Sequence, residues 1–402
     1  MQLIVMVAIY LAQNCLAAVL IKRCLVRWPR TAQRASRIKK YWLIPFAVLS
    51  LLPVAGALLP DSPVKFALQA AGNIWLGFYV YFGGMLAFLL LAGLIVKLVS
   101  GGRLARSWHG GILCLSLVAS LVLLGYGLRH AQQTVVVSYD LELDKPAAAD
   151  VDEMNLVLLG DLHLSVNSRL ATTQRMVELV NAQQPDAVVV AGDIFTSSYR
   201  GLAHPEKYAE ALRGIESKYG VYAVYGNHDV EEPLLGGFPL TPIPQAFRTG
   251  DMERFFDDCG FITLADEVVT LPNGVQLAGR IDGEKAGDGT TNRMTPAELL
   301  RDIDPAKPVF VLEHEPKEFK ALGESGADVA LSGHTHAGQI FPGNLIVPLF
   351  NENAWGYKRL HDVDTYVTAG MGYYGPPMRV GTDSEVTVLH ITFKQGGQQD
   401  AR

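Results

Sequence analysis

Apolar residues run almost without interruption through four stretches in the first third of the chain, at about 2–21, 41–59, 66–98 and 110–128. A bilayer core takes roughly 20 apolar residues to cross, so the pattern predicts four membrane-spanning helices. The third stretch is long for one span and short for two with a turn. It predicts a span over 76–98, preceded by a tilted or interfacial segment near 64–75. The polar positions inside these runs are Gln13, Asn14, Gln69 and Asn73, none of them a carboxylate. Such amides predict hydrogen bonds between helices, and the missing acids argue against a transporter or channel. The first run has no positive charge before it and Lys22 and Arg23 after it, unlike a cleaved signal.

From about residue 130 the pattern changes to short apolar runs alternating with amphipathic ones. "MNLVLLGDLH" reads as a buried strand ending at Gly160. Leu170, Met176, Val177 and Val180 then share one helical face. "PDAVVVAGDIF" and "VYAVYGNHD" are further strands, separated by a helix that Pro205 opens and Gly220 closes. Strand–helix alternation implies right-handed βαβ units and a mostly parallel sheet. "FITLADEVVTL", the turn "PNG" and "VQLAGRID" read as a hairpin. "KPVFVLEHEP", "DVALSGHTH", "DTYVTAGMG" and "SEVTVLHITF" add more strands. The predicted fold class is α/β: an N-terminal transmembrane helical bundle, then two packed sheets with helices outside. The predicted division is a membrane domain over 1–130, a linker and entry strand over 131–150, the α/β domain over 151–395 and a flexible tail over 396–402.

Charge adds an orientation. Lys22, Arg23, Arg27, Arg30, Arg34, Arg37, Lys39 and Lys40 lie between the first two runs, and Arg103 and Arg106 between the last two, with Lys97 at the edge of the third. Positive loops stay cytoplasmic. After Arg129 the chain turns acidic, through Asp140, Glu142, Asp144, Asp150 and Asp152. The α/β domain of a multi-pass cell-membrane protein is therefore expected on the extracytoplasmic face. The net charge is −6 and no basic stripe exists outside the membrane loops, which excludes nucleic acid as a partner. Of the cysteines Cys15, Cys24, Cys114 and Cys259, only the last lies beyond the membrane part. No internal disulfide is possible there.

The candidate chemistry sits at strand ends. Asp161 with His163, then Asp193, then Asn227, His228 and Asp229, then His314, then His334 with His336, each follow an apolar run. Ligand sites in open α/β sheets gather at that edge. Asp161 and His163 are spaced i, i+2, as are His334 and His336, and extended backbone would put each pair on one side. The donors are carboxylate, amide and imidazole without thiolate, which excludes a Cys-rich structural zinc site. They suit Mn, Fe or Zn. Two adjacent metals clamp both oxygens of a transferring phosphoryl group. Asp193, alone at its strand end, is the candidate bridge.

At these residues the chain resembles the calcineurin-like metallophosphoesterases. "GDLH" (160–163), "GD" (192–193), "GNHD" (226–229), "EHEP" (313–316) and "GHTH" (333–336) follow the family's order. "GHTHAGQ" with "TAGMGYYGPPMR" looks like its bacterial membrane-associated branch, and the four-span front looks like that of transmembrane proteins with a metallophosphoesterase domain. The resemblance implies an α/β/β/α sandwich and two divalent metal ions. Asp161, His163, Asp193 and His336 would hold the first, and Asp193, Asn227, His314 and His334 the second. His228 would stabilise the phosphoryl transition state or protonate the leaving oxygen, and Asp229 would orient His228. The implied activity is hydrolysis of a phosphodiester or phosphomonoester by metal-activated hydroxide, in a lipid or lipid-linked molecule. Two alternatives stay open: a hydrolase of soluble nucleotide or sugar phosphates, and a catalytically silent metal-binding regulatory protein. Arg379 is a candidate for substrate phosphate, and Tyr373, Tyr374, Trp355 and Phe341 for an apolar substrate groove. Departures from the pattern, such as Ala337 beside Gly338 and the segment "AGRIDGEKAGDGTTNR", touch substrate choice rather than the metals.

Overall fold

The apolar runs of the first third form helices: α1 (Gln2–Arg27), α2 (Leu43–Leu58), α3 (Pro63–Ser100) and α4 (Arg106–His130). The computed structural model describes residues 2–27, 37, 40–101, 106–148, 151–239, 246–289 and 292–394. The predicted tail 396–402, and Arg30, Arg34, Lys39 and Arg103, lie outside these residues. By length and composition, three of the helices can cross a membrane, within α1, α3 and α4. At 1.5 Å per residue the 16 residues of α2 reach only about 24 Å, short of a core of about 30 Å. The expected tilted or interfacial segment near 64–75 and the span over 76–98 form one continuous helix, α3, of 38 residues.

The chain divides into two compact units. The helical unit joins Met1–Arg129 with two short segments from far along the chain, Pro233–Leu240 and Gly375–Met378. Its core packs Ile21, Cys24 and Leu25 with Phe82, Leu86, Ile112 and Leu113. α2 and α3 approach closely at Gly72, where a Cβ would lie 3.0 Å from the Pro53 nitrogen. Small residues permit such backbone contact between membrane helices. Asn14, expected to bond between helices, instead donates to the Tyr10 carbonyl one turn back in α1. Arg27 and His109 do join α1 to α4, at 2.7 Å.

The second unit holds two six-stranded sheets. The first runs in the order β1 (Thr134–Leu143), β14 (Ser384–Phe393), β2 (Glu153–Leu159), β3 (Ala187–Ala191), β4 (Val221–Val224) and β7 (Ile262–Thr263). Its pairs are parallel except β14 with β2. The second runs β12 (Gly356–Leu360), β13 (Val363–Val367), β11 (Val329–Ser332), β10 (Val309–Leu312), β9 (Gln276–Gly279) and β8 (Glu267–Thr270), parallel inside with antiparallel edges. Leu156, Leu158, Val189 and Val224 of one sheet meet Leu277, Phe310, Leu312, Val329 and Leu331 of the other in a shared core. The opposite face of the first sheet is covered by α5 (Leu170–Asn181), α6 (Pro205–Arg213) and α7 (Gly250–Asp258). Alternate residues of each strand feed the two faces, and the layers are α/β/β/α.

Two local readings differ. α6 stops at Arg213, because Gly214 rather than Gly220 ends it. The run "FITLADEVVTL" is not one strand: Ile262–Thr263 pairs with β4 in the first sheet, and Glu267–Thr270 pairs with β9 in the second. The expected entry segment 131–150 contains β1, paired with β14 over its full length.

Candidate metal centre

The five strand ends singled out in the sequence converge at the carboxyl edge of both sheets. β2, β3 and β4 carry Asp161, His163, Asp193, Asn227 and His228, while β10 and β11 carry His314, His334 and His336. Their donor atoms fall into two groups. His163 Nε2 lies 2.9 Å from His336 Nε2, which lies 3.7 Å from Asp161 Oδ1. His314 Nε2 lies 3.0 Å from Asn227 Oδ1 and 3.2 Å from His334 Nδ1. Asp193 Oδ2 stands between, 3.5 Å from His163 Nε2 and 3.2 Å from His314 Nε2. Donors about 2.0–2.2 Å from one cation must stand roughly 3 Å from each other. Asp161, His163 and His336 form one compact donor set, and Asp161, Asp193 and His314 another. The residues present therefore fit divalent metals. His334 and His336 turn to different groups, Nδ1 of the first toward His314 and Nε2 of the second toward His163.

The i, i+2 pairs reach their places by a different route than extended backbone. Asp161, His163, Asp193, His334 and His336 all have positive φ, between 45° and 73°. Each costs of order 1–3 kcal/mol in a non-glycine residue and persists only where surroundings enforce it. The surroundings are visible. The Asp161 carboxylate accepts from the His334 N–H at 2.9 and 3.0 Å. The His163 N–H donates to the Asp193 carbonyl. Gly226 must lack a side chain, since a Cβ there would lie 2.2 Å from Asp193 Oδ1.

Electrostatics leave three of the imidazoles in the neutral, metal-binding form, while burial pushes Asp161 up to about 7. Burial pushes the imidazoles of His163 down to about 4 and of His228 and His334 to about 3, so they are neutral near pH 7. Burial would raise Asp193, but His314, His228 and His163 reverse this and hold it well below the usual range. Burial alone would lower His314, but Asp193 and Asp161 outweigh it and hold it well above the usual value. His314 Nδ1 donates to the Ala191 carbonyl at 2.7 Å, which aims Nε2 at the donors. Metal binding exchanges such a proton for the ion.

Two expected roles need correction. The Asp229 carboxylate does not meet the His228 ring. It accepts from the backbone N–H groups of Asp193, Phe195 and Gly226, so it ties the ends of β3 and β4 together. His228 is held by Ser197, whose Oγ lies 2.8 Å from His228 Nδ1. Ser197 donates to Glu232 at 3.1 Å, and Lys285 donates to the same Glu232 oxygen at 2.5 Å. With the Ser197 proton on Glu232, His228 Nδ1 carries hydrogen and Nε2 is left for the site. Arg379, expected at the substrate phosphate, is fully buried and donates instead to the carbonyls of Ala369, Gly370 and Gly372. Of the aromatics, only Tyr374 stands over the centre, its ring 4.6 Å from His228 and 5.6 Å from His163. Tyr373 donates to Asn167 and Trp355 to Glu385, while Phe341 is exposed.

Comparison with known proteins agrees with this geometry. Residues 154–338 match the sequence profile of the calcineurin-like phosphoesterase family. A Danio rerio protein called a transmembrane protein with metallophosphoesterase domain is 32% identical over 296 residues, covering 70% of this chain and 62% of that protein's length. An uncharacterised metallophosphoesterase of Helicobacter pylori is 30% identical over 285 residues, covering 68% and 69%. One from Campylobacter jejuni is 29% identical over 320 residues, covering 77% and 79%. The five blocks in order, their convergence and these matches make the chain a member of the calcineurin-like phosphoesterase family.

Proposed function

We propose that the protein is a membrane-anchored dimetal phosphoesterase hydrolysing a lipid or lipid-linked phosphate ester. The observation that carries the catalytic part is the position of Asp193 Oδ2, within 3.5 Å of one imidazole group and 3.2 Å of the other. That is where a carboxylate shared by two cations belongs. Asp161, His163 and His336 would hold the first ion, and Asn227, His314 and His334 the second. Two bound Mn, Fe or Zn ions supply Lewis acidity and an activated water. The chain's own contribution is orientation. His228 would serve the phosphoryl group or the leaving oxygen only as an imidazolium, taking a proton at Nε2 while Nδ1–H stays on Ser197, and Ser197 and Glu232 fix the ring. Tyr374 covers the His228 face and limits access of bulk water.

The lipid part rests on the apolar helices. With the short α2 crossing a locally thinned bilayer, the positive C-terminal ends of α1 and α3, at Arg27 and Lys97, would both lie on the cytoplasmic side. The chain then leaves α4 on the extracytoplasmic side, where the phosphoesterase unit would work. A protease-cleavable tag near residue 394 should be cut in intact cells. Protection of that tag would reverse the orientation.

The test of the catalytic reading is hydrolysis of aryl phosphate mono- and diesters by the full chain, metal-free and with Mn²⁺, Fe²⁺, Zn²⁺ or Mg²⁺. Metal-dependent turnover lost in His334→Ala is expected. Equal turnover without metal, or in the variant, would refute it. Ser197→Ala should lower kcat roughly 10–100-fold, as loss of an orienting partner does, while elemental analysis finds the same metal content. A fall in metal content instead would make Ser197 a structural support of the ions.

A further inference from the structure

The helical unit also holds a small hairpin, β5 (Leu234–Leu235) with β6 (Phe238–Pro239). In the phosphoesterase unit, exposed large apolar side chains gather in one stretch of the chain. Leu345, Leu349 and Phe350 are 61%, 77% and 80% exposed, and Phe341 and Ile346 stand about half in solvent. They lie on or beside a short helix, Gly343–Ile346, and the 3₁₀ turn that follows it, Val347–Leu349, and neither element has a buried residue. The sequence "AGQIFPGNLIVPLFN" carries no charge from Ala337 to Asn351. Single exposed apolar residues are ordinary, but a contiguous set marks an interaction surface. Trp355 and Tyr357 follow, also about half-exposed, and then Lys358 and Arg359 with their side chains in solvent.

What covers this surface follows from where the chain enters the unit. The apolar helix α4 ends at His130. A ring nitrogen of His130 lies 2.8 Å from an Asp383 carboxylate oxygen, and Ser384 Oγ donates to the Ala131 carbonyl at 3.2 Å. The residues just before Asp383 hold the root of the apolar stretch. Thr382 Oγ1 donates to the Gln339 carbonyl at 2.7 Å, Asn344 Nδ2 to the Gly381 carbonyl at 3.4 Å, and the Phe341 N–H to the Val380 carbonyl at 2.8 Å. Every one of these bonds is internal to the phosphoesterase unit. They tie the stretch to the residues on which a membrane helix ends, and a spanning helix ends at the level of the lipid headgroups. Exposed apolar side chains there gain by leaving water for the bilayer surface. Trp and Tyr beside Lys and Arg are the residue types that sit at the headgroup level. We propose that the stretch from Phe341 to Phe350 is a membrane-docking surface of the phosphoesterase unit, which inserts Leu345, Ile346, Leu349 and Phe350 between the lipids with Trp355 and Tyr357 at its rim. The stretch follows directly on His334 and His336 in the chain, so a docked unit keeps the loop of those metal donors close to lipid phosphates. The docking rests on the reading of α4 as a membrane span, and not on the metals or on the identity of the substrate.

The experiment uses the full chain in dioleoyl phosphatidylcholine vesicles. The exposed thiols are removed by Cys15→Ala and Cys114→Ala, and the buried Cys24 and Cys259 are kept. A nitrobenzoxadiazole label is attached in turn at Leu349→Cys, at Phe350→Cys, at Val118→Cys within α4 and at the exposed Glu324→Cys. Its emission is quenched by phosphatidylcholine with a nitroxide near the ester end of the acyl chain, by the same lipid with a mid-chain nitroxide, and by aqueous iodide. The labels at 349 and 350 should shift to shorter wavelength and lose more emission to the shallow nitroxide than to the deep one, at a depth of roughly 5–10 Å. The label at 118 should lose most to the deep nitroxide, and the label at 324 only to iodide. Labels at 349 and 350 quenched by iodide and by neither lipid would face water and overturn the docking. Labels there shielded from all three quenchers would be covered by protein, a second copy included, and would overturn it too. Quenching at 324 as strong as at 349 would make the adherence unspecific and overturn it as well. In each of these cases a quenched label at 118 leaves the span intact. A label at 118 that no nitroxide reaches would overturn the span, and the docking with it.

Discussion

Asp193→Asn should lose at least one of two bound ions per chain and lower metal-dependent hydrolysis by more than about 100-fold, beyond what an outer-partner mutation costs. The side chain is isosteric, so packing is kept. What changes is charge and hydrogen. Asp193 Oδ1 accepts from the His228 N–H at 2.8 Å, and Oδ2 faces His163 and His314. An asparagine has one oxygen to offer and must choose. If the oxygen stays on His228, the amide N–H₂ points at the donors and repels a cation. If it flips, two N–H groups face each other at His228, an unsatisfied contact worth about 1–3 kcal/mol in a buried place. Either arrangement removes the carboxylate that holds His314 well above the usual imidazole value. Elemental analysis and turnover, with circular dichroism to show the fold is kept, measure the outcome. Full metal content at full rate would refute the shared-ligand role.

The candidate metal donors are legible because each sits where an apolar strand stops, and an apolar run that ends in Asp, Asn or His is visible without tertiary knowledge. Asp161, Asp193, Asn227, His314 and His336 needed only that pattern. The way they are aimed was not legible. Positive φ at Asp161 and His336 is enforced by contacts such as the His334 N–H on the Asp161 carboxylate, 173 residues away in sequence. Ser197, Glu232 and Lys285 were missed for the same reason. Their links to His228 and to each other span 31, 35 and 53 residues, with no periodicity to betray them. Asp229 was given the wrong partner because adjacency to His228 in "GNHD" says nothing about direction; its carboxylate turns inward to backbone amides. The hairpin at Leu234–Pro239 carried a signal, an uncharged stretch just after the densest polar block, that strand and helix periodicity cannot score because it is too short. The four apolar runs were unmistakable, yet composition could not separate the 16 residues of α2 from a full span or divide the 38 of α3.

Arg379→Met should destabilise the phosphoesterase unit by about 3–5 kcal/mol and weaken metal binding roughly 10–100-fold, with the substrate KM of the surviving metal-loaded fraction unchanged. Burial pushes the guanidinium down to about 10, so it stays charged near pH 7. Its donors reach the carbonyls of Ala369, Gly370 and Gly372 at 2.6–3.1 Å. That loop in turn donates from Met371 to the Gly160 carbonyl and from Gly372 to the Asp161 carbonyl. The arginine thus stands behind the backbone that carries Asp161 at positive φ. Methionine fills a similar volume but leaves the Ala369 and Gly372 carbonyls without a donor, each a penalty of about 1–3 kcal/mol before relaxation, while Gly370 keeps the Glu385 N–H. Asp161, freed of its support, would relax toward ordinary backbone and withdraw from His336, 3.7 Å away. Thermal unfolding with and without metal, together with titration of metal into the apoprotein, separates this from a role at substrate. A raised KM with unchanged melting temperature and metal affinity would return Arg379 to the phosphate; a lowered melting temperature with weakened metal binding keeps it beneath Asp161.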